Sequence, residues 1–159
     1  MICVTLNMRG LCSGPKRTAI KRIIDNQHVD IFLLQETKIE EVKACEYFLR
    51  IKPGWRVSAL DSADLSGGTL VAWNPVVGDF SPYRTCAGIL LSRYCKGFEN
   101  LLHILNIYAP CRERKCFWDE ISRSGCLNVP NLILEGDLNF IMFASEVLGG
   151  GFSLDDLFE

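Results

Sequence analysis

The sequence VDIFLLQETK, residues 29–38, changes within one step from apolar to polar side chains. Residues 29–34 form a nearly continuous apolar run, which is typical of a strand that is buried on both faces of a sheet. A helix is predicted over residues 39–49, because two glutamates would lie in its first turn, where the helix dipole favours acidic side chains. The stretch therefore predicts a buried strand that carries Glu36 at its carboxyl end and leads into a helix.

The residues before this stretch predict a strand, a loop and a helix. Residues 1–6 are typical of a short strand, and a loop rich in Gly, Ser and Pro follows them. Residues 16–26 predict a helix, because apolar residues from Ala19 to Ile24 recur at helical spacing, with Lys and Arg on the opposite side. The chain therefore opens with the order β-α-β-α.

The rest of the chain predicts mainly antiparallel strands, followed by a helix and a last strand. The predicted elements are strands at residues 55–60, 69–73 and 76–84, a polar turn at 61–68, a hairpin of 86–94 and 101–108 around a turn at 96–100, a helix at 113–122 and a strand at 132–134. No internal repeat and no interdomain linker interrupts this order. We therefore expect one layered α/β domain over residues 1–159.

The composition is that of a globular domain, with 159 residues of which 48% are hydrophobic and 23% are charged. The formal net charge is -2, whereas dedicated nucleic-acid-binding domains are usually basic. The overall charge therefore gives no support to nucleic-acid binding, although a nuclease with a locally basic rim around an acidic metal site is compatible with it.

The eight cysteines predict neither a disulfide framework nor a zinc site. No C-x-x-C pair occurs, the closest spacing is Cys111 to Cys116, and neither histidine stands at ligand spacing from a cysteine pair. No signal peptide precedes the first strand, and no apolar run approaches the roughly 20 residues that a membrane span needs. We therefore expect an intracellular protein with no disulfide partner and no membrane association.

Four of the predicted strands end in a polar residue. The residues that follow these apolar runs are Asn7, Glu36, Tyr108 and Asp137. If the strands are neighbours, these side chains gather at one edge of the sheet, where open α/β sheets bind their ligands. Oxygen ligands without thiolate or imidazole suit Mg²⁺. The pattern therefore predicts a magnesium site at this edge.

Each of these residues also has a purely structural explanation. Asn7 is typical of a residue that terminates a strand, and Glu36 of an acid that caps the following helix. Tyr108 is typical of an amphipathic rim residue. The sequence GDLN (136–139) is typical of a turn after a strand. Spacing alone leaves both interpretations open.

Five motifs occur in the order that is found in the endonucleases of LINE-type retrotransposons. They are NxRG (7–10), LQETK (34–38), SGGT (66–69), NIYAP (106–110) and GDLN (136–139). Over nearly its whole length the chain resembles this family, in particular its plant members, and the family is similar to apurinic/apyrimidinic endonucleases and to DNase I. The resemblance implies the DNase I-like four-layer α/β sandwich of the exonuclease–endonuclease–phosphatase superfamily.

The resemblance also implies a reaction, the Mg²⁺-dependent hydrolysis of DNA phosphodiester bonds, with Mn²⁺ as a possible substitute. It implies that Glu36 and Asn7 bind the metal and that Asp137 orients or deprotonates the attacking water. Asn139 and Tyr108 are expected to act in catalysis at the phosphate. The substrate-binding residues that it implies are Arg9 and Lys38. The expected partner is DNA, the expected location of an active nuclease is the nucleus, and the oligomeric state is not indicated.

One element of the family pattern is missing from this sequence. The family carries a Ser-Asp-His segment downstream of the Gly-Asp-x-Asn motif, and neither His28 nor His103 stands in such a segment. Leu138 and Leu6 replace the usual Phe and Trp, which are mild changes. We therefore expect that the C-terminal portion of the fold is missing and that hydrolysis is impaired. The alternatives are a non-catalytic retroelement remnant and a phosphatase of the same superfamily.

Overall fold

The computed structural model describes residues 1–63, 66–85, 88–94, 99–110 and 114–139, which form two four-stranded sheets and three α-helices. The first sheet has the strand order β1-β2-β4-β3 and consists of β1 (Cys3–Asn7), β2 (Ile31–Gln35), β3 (Arg56–Ala63) and β4 (Ser66–Trp73). The second sheet has the order β5-β6-β7-β8 and consists of β5 (Ser81–Arg84), β6 (Gly88–Arg93), β7 (Leu102–Tyr108) and β8 (Leu132–Asp137). The helices are α1 (Gly14–Gln27), α2 (Glu41–Ile51) and α3 (Arg114–Arg123).

Each sheet contains one parallel pair of strands. β1 pairs with β2, so that Asn7 lies opposite Gln35, and β7 pairs with β8, so that Tyr108 lies opposite Asp137. The other strand pairs are antiparallel. Since the carboxyl ends of parallel neighbours lie side by side, each sheet presents two strand ends with polar residues at the same edge.

Strand β2 is buried at all five positions, as the apolar run predicted. Side chains of a strand alternate between the two faces of its sheet. Phe32 and Leu34 therefore pack under α1 and α2, while Ile31 and Leu33 pack between the two sheets. The first sheet is thus covered on one face by helices and on the other by the second sheet.

Strand β7 has the same arrangement in the second sheet. Ile104 joins the cluster between the sheets, whereas Leu105 and Ile107 face Ile121 of α3. The layers are therefore helices, sheet, sheet and helix, and the predicted four-layer α/β sandwich is confirmed for the described part of the chain.

The strand predicted at residues 76–84 is wrong in its first half. Pro75–Val77 is a turn of 3₁₀-helix, and the strand begins only at Ser81. The side chain of Asn74 accepts a hydrogen bond from the backbone N–H of Val76, and Pro75 has the backbone angle that a first helical position needs. The local cap therefore produces a helical turn at Val76 and Val77, where the apolar pattern predicted a strand.

The polar turn predicted at residues 61–68 is also wrong for most of its length. β3 continues to Ala63 and β4 begins at Ser66, so the two strands stay paired through these polar positions. Backbone pairing along a hairpin does not require apolar side chains. The predictions for residues 64–65, 86–87, 96–98 and 113 concern positions outside the described residues, as do residues 140–159.

Two further findings concern the cysteines and the helices. The five cysteines within the described ranges, Cys3, Cys12, Cys45, Cys116 and Cys126, are free thiols. None of the helices that the structure describes has the length and apolar character needed to cross a membrane.

Candidate active site

Backbone hydrogen bonds join the loops that follow β1 and β2 to each other and to the start of β4. Gly10 N–H donates to the carbonyl oxygen of Glu36 over 2.7 Å, and Leu11 N–H donates to that of Thr37 over 2.9 Å. On the other side, Thr37 N–H donates to the carbonyl oxygen of Gly68 over 3.1 Å. These bonds hold the loop that carries Glu36 between the loop that follows β1 and the start of β4.

Four residues that are not glycine have left-handed backbone angles in this region. They are Arg9 (φ 46°), Glu36 (φ 51°), Lys38 (φ 55°) and Asn139 (φ 46°). Such angles are uncommon for residues with a Cβ, and each persists only where its surroundings impose it. Strained residues of this kind concentrate at functional sites, and all four lie in the motifs that the sequence singled out.

The amide of Asn7 joins the two carboxylates of the site. Asn7 Nδ2 donates to Glu36 Oε1 over 2.9 Å and to Asp137 Oδ2 over 2.5 Å. The two carboxylate oxygens therefore lie no farther apart than the sum of these two distances, although 130 positions separate Asn7 from Asp137. Two negative groups this close attract a positive ion.

Positive side chains balance part of this charge. Lys38 Nζ lies 3.0 Å from Glu36 Oε2. Burial raises the pKa of Glu36, but the hydrogen bonds from Asn7 and Lys38, together with the charges of Lys38 and Arg9, outweigh burial and lower the pKa below 4.5. Glu36 is therefore a carboxylate at neutral pH, as a metal ligand has to be.

The turn after β8 holds the second carboxylate in place. Asp137 Oδ1 accepts a hydrogen bond from Asn139 N–H over 2.9 Å, and Asn139 Nδ2 donates to the carbonyl oxygen of Ala109 over 2.5 Å. A Cβ on Gly136 would lie 1.9 Å from the carbonyl oxygen of Ile107, so only glycine allows β8 to approach β7 at this point. The motif GDLN is thus both a turn and the support of Asp137.

Tyr108 lies at the same end of the second sheet. It is directly opposite Asp137 in the parallel ladder and is half-buried. A Cβ on Gly67 would lie 3.7 Å from Cδ1 of the Tyr108 ring, which places the SGGT motif beside the phenol. The structure therefore brings Asn7, Glu36, Tyr108, Asp137 and Asn139 to one edge, with Arg9 and Lys38 beside them.

The structure adds one detail about Asn7. The nitrogen of its amide faces the two carboxylates, and its oxygen accepts a hydrogen bond from Arg9 N–H over 3.2 Å. In this arrangement Asn7 holds the carboxylates together as a donor. The metal-binding role that the resemblance implies for Asn7 stays a prediction, as do the roles of the other residues.

The sequence assigned no role to two residues that lie directly beneath the site. Asn106 and Gln35 are almost completely buried between the sheets, and Gln35 Nε2 donates to Asn106 Oδ1 over 2.5 Å. Asn106 Nδ2 donates to the carbonyl oxygens of Leu34 and Leu70, each over 3.2 Å. These bonds link the two sheets. Gln35 directly precedes Glu36, and Asn106 lies two residues before Tyr108. Both residues lie in sequence motifs, LQETK (34–38) and NIYAP (106–110). A polar residue inside an otherwise apolar strand is the sequence feature that could have indicated their role.

Neither a protein-family model nor a curated protein matches the sequence. Solved structures do match. The endonuclease domain of TRAS1, a telomere-specific non-LTR retrotransposon, is similar with a TM-score of 0.63 at 16% identity over 87% of this chain. An AP endonuclease from Archaeoglobus fulgidus gives 0.64 at 19% identity, and AP endonuclease LMAP from Leishmania major gives 0.70 at 15%, each over 94% of this chain.

These similarities establish the DNase I-like fold of the chain, in agreement with the motifs. The chain spans only 59%, 62% and 58% of the lengths of the three solved structures. At such identities a shared fold does not show that two proteins have the same activity, because one fold supports several reactions.

Proposed function

We propose that this chain is an endonuclease of retroelement origin that hydrolyses phosphodiester bonds of DNA with Mg²⁺, or with Mn²⁺ in its place. The observation that carries the proposal is the contact of Asn7 with both Glu36 and Asp137. Through one amide, two carboxylates that are far apart in the sequence lie within reach of one ion and one phosphate. The order of the five motifs and the similarity to solved endonucleases support DNA as the substrate.

The donor set fits a hard divalent cation. Among the residues that the structure describes, no group of three or more His, Cys, Asp or Glu side chains converges, so an ion at this site would rely on one or two carboxylates together with waters and the substrate. Mg²⁺ retains several waters and is commonly bound through one or two carboxylates and substrate phosphates. Glu36 is the proposed ligand, and Asn7 adds an oxygen donor when its amide turns over. A bound ion would polarise a phosphoryl oxygen and stabilise the departing oxygen.

The side chains of the site have distinct proposed tasks. Asp137 accepts a proton from the attacking water, and the hydrogen bond from Asn139 N–H keeps one of its oxygens oriented. Tyr108 and Asn139 contact the phosphate from the edge of the second sheet. Lys38 and Arg9 supply the positive charge that the approaching phosphate requires. This arrangement needs no movement of the strands that carry it.

One alternative retains a specific observation in its favour. The chain is at most 19% identical to the three solved endonucleases and spans 58–62% of their lengths, so a non-catalytic remnant of a retroelement is the second candidate. A phosphatase of the same superfamily would use the same carboxylates on a terminal phosphate. The proposed location of an active nuclease of retroelement origin is the nucleus.

The proposal is tested by nicking of supercoiled plasmid DNA with Mg²⁺. We expect nicking by the wild-type chain that requires Mg²⁺, and the loss of one group that stabilises the transition state should cost roughly 10²–10³ in rate. Asp137→Ala and Glu36→Gln should abolish it. Lys43→Gln, an exposed change on α2, is the matched control and should leave the rate unchanged.

Three outcomes separate the candidates. Nicking that persists in Asp137→Ala at the wild-type rate would place the activity elsewhere or in a contaminant. Calorimetric binding of Mg²⁺ that is lost in Glu36→Gln, without nicking, would identify a remnant that keeps its ion site. Release of phosphate from a 3′-phosphorylated oligonucleotide without nicking would favour the phosphatase.

A further inference from the structure

A groove between α1 and α2 lies outside the candidate active site and has a distinct chemistry. Its cavity has a volume of about 350 Å³. The lining residues are Gly14, Arg17, Thr18, Lys21, Tyr47, Arg50 and Ile51. Three of them are cations and none is acidic, although the whole chain carries a net charge of -2. The positive charge of this surface is therefore local and is not a consequence of the composition.

The two guanidinium groups of the groove are held by one aromatic ring. The Arg17 guanidinium carbon lies 4.7 Å from the centre of the Tyr47 ring, and that of Arg50 lies 5.8 Å from it. Arg17 Nη1 also donates to the carbonyl oxygen of Cys12 over 2.8 Å. Such contacts fix the planes of the guanidinium groups before a ligand arrives, which reduces the entropy that binding would remove.

The acidic neighbours of the groove leave most of this charge uncompensated. Within the part of the chain that the structure describes, the ion pair of Arg50 is a long contact of 3.7 Å to Glu46. Lys21 is paired with Asp25, but Asp25 is shared with Lys52, so one carboxylate serves two ammonium groups. Among the ion pairs in the described ranges, none involves Arg17. The planar donors of Arg17 and Arg50 thus remain available for a ligand with paired oxygens, such as a phosphate group.

The groove is connected to the candidate active site through the start of α1. Lys16 Nζ donates to the carbonyl oxygens of Met8 and Arg9, over 2.8 Å and 2.7 Å. These residues follow Asn7 directly, and Arg17 follows Lys16. The start of α1, which carries Arg17, is therefore tied to the loop that follows Asn7, so that only this loop and the first turn of α1 separate the carboxylates from the groove along the chain.

We propose that the groove between α1 and α2 binds phosphate groups of the nucleic-acid strand outside the segment that is cleaved. The inference rests on the proposed function, because the occupant is the strand on which the carboxylates act. Arg17 and Arg50 each contact one phosphate, and Lys21 adds charge at the edge of the groove. Contacts of this kind position a strand and carry no base sequence information.

The test is the fluorescence anisotropy of a labelled single-stranded oligonucleotide of about 12 nucleotides, a length that covers one such binding surface. It is performed on the full chain in EDTA, so that binding is measured without hydrolysis. Arg17→Gln/Arg50→Gln should weaken binding roughly 25-fold at 0.1 M salt, since release of counterions from a single strand contributes a factor of about 5 for each phosphate contact. The slope of log affinity against log salt should fall by about 1.4.

The matched control is Arg22→Gln/Lys43→Gln, which removes two exposed cations of the same helices that do not line the groove. It should change affinity by less than about threefold, because these side chains do not line the groove and exposed charges that do not contact the phosphates are screened by salt. The single variant Lys21→Gln gives a second readout, with an expected loss of up to about fivefold. Far-ultraviolet circular dichroism confirms that all variants keep the wild-type content of secondary structure.

Four results would overturn the inference. They are an equal loss in the control pair, no binding by the wild-type chain, equal competition by inorganic phosphate at the same concentration of phosphate groups, and equal competition by polyglutamate. Inorganic phosphate as an equal competitor would indicate a site for a small anion, and polyglutamate would indicate a general polyanion surface. Intact binding without plasmid nicking would refute only the proposed hydrolysis, so the two failures can be told apart.

Discussion

Replacement of Asn106 by leucine should destabilise the fold strongly, because the Asn106 side chain joins the two sheets. Asn106 accepts a hydrogen bond from Gln35 over 2.5 Å and donates to the carbonyl oxygens of Leu34 and Leu70 over 3.2 Å each. A typical hydrogen bond contributes about 1 kcal/mol, and a buried donor that is left without a partner costs about 1–3 kcal/mol. Gln35 Nε2 keeps its other hydrogen bond, to Thr5 Oγ1 over 3.0 Å, but one of its N–H groups loses its acceptor. Since Gln35 is 1% exposed, water cannot replace that acceptor.

The expected cost of Asn106→Leu is therefore about 2–4 kcal/mol, a large part of the roughly 5–15 kcal/mol that stabilises an ordinary domain. Urea denaturation followed by tryptophan fluorescence measures it, because the midpoint falls while the slope stays constant. Asn128→Leu makes the same chemical change at an exposed position and should remain within about 0.5 kcal/mol of wild type.

A double variant separates the hydrogen bonds from the change in shape. In Gln35→Leu/Asn106→Leu both partners are apolar, so no donor is left unsatisfied and part of the lost stability should return. A loss of less than about 0.5 kcal/mol in Asn106→Leu would show that the contact between the sheets contributes no net stability. A double variant less stable than the sum of the single changes would refute the argument from the unpaired donor.

Two further predictions concern the loop that carries Glu36. Gly68→Ala should destabilise the fold by about 1–3 kcal/mol and lower the rate of nicking, because φ is +80° and a Cβ would lie 2.4 Å from Thr37 Oγ1. Thermal denaturation measures the loss of stability. The control is Gly14→Ala, which should not be destabilised because a Cβ there meets no atom within 4 Å. Lys38→Met should raise the pKa of Glu36, observed by ¹³C NMR titration. The folded-state pKa of Glu36 lies below 4.5, so the contribution of Glu36 to stability is present above pH 4.5 and is lost as the pH falls through the folded-state pKa. The variant should therefore lose this contribution at a higher pH than the wild type. An unchanged titration of Glu36 would contradict the ion pair with Lys38.

Periodicity predicted the interior of the fold better than its connections. The buried strand at residues 29–34 and the helix at 16–26 appear as β2 and α1, with ends that differ by a few residues. The predicted strand at 76–84 failed at its start because Asn74 and Pro75 form a local cap. The predicted turn at 61–68 failed because strand pairing continues through polar positions that carry no periodic signal. Capping and pairing depend on backbone geometry, which a pattern of apolar residues does not record.

The sequence by itself determined the order of elements and the polar residues at the ends of strands, because both follow from local alternation of apolar and polar side chains. The motifs added the DNase I-like fold, which the solved structures share. Only the tertiary structure decided that the nitrogen of Asn7 lies between Glu36 and Asp137, and that Asn106 reaches across to Gln35. Those contacts join residues 29, 130 and 71 positions apart, and they depend on which strands pair and how the two sheets face each other. The groove of Arg17 and Arg50 arises in the same way, because two helices that are separate in sequence bring their cations to one tyrosine ring.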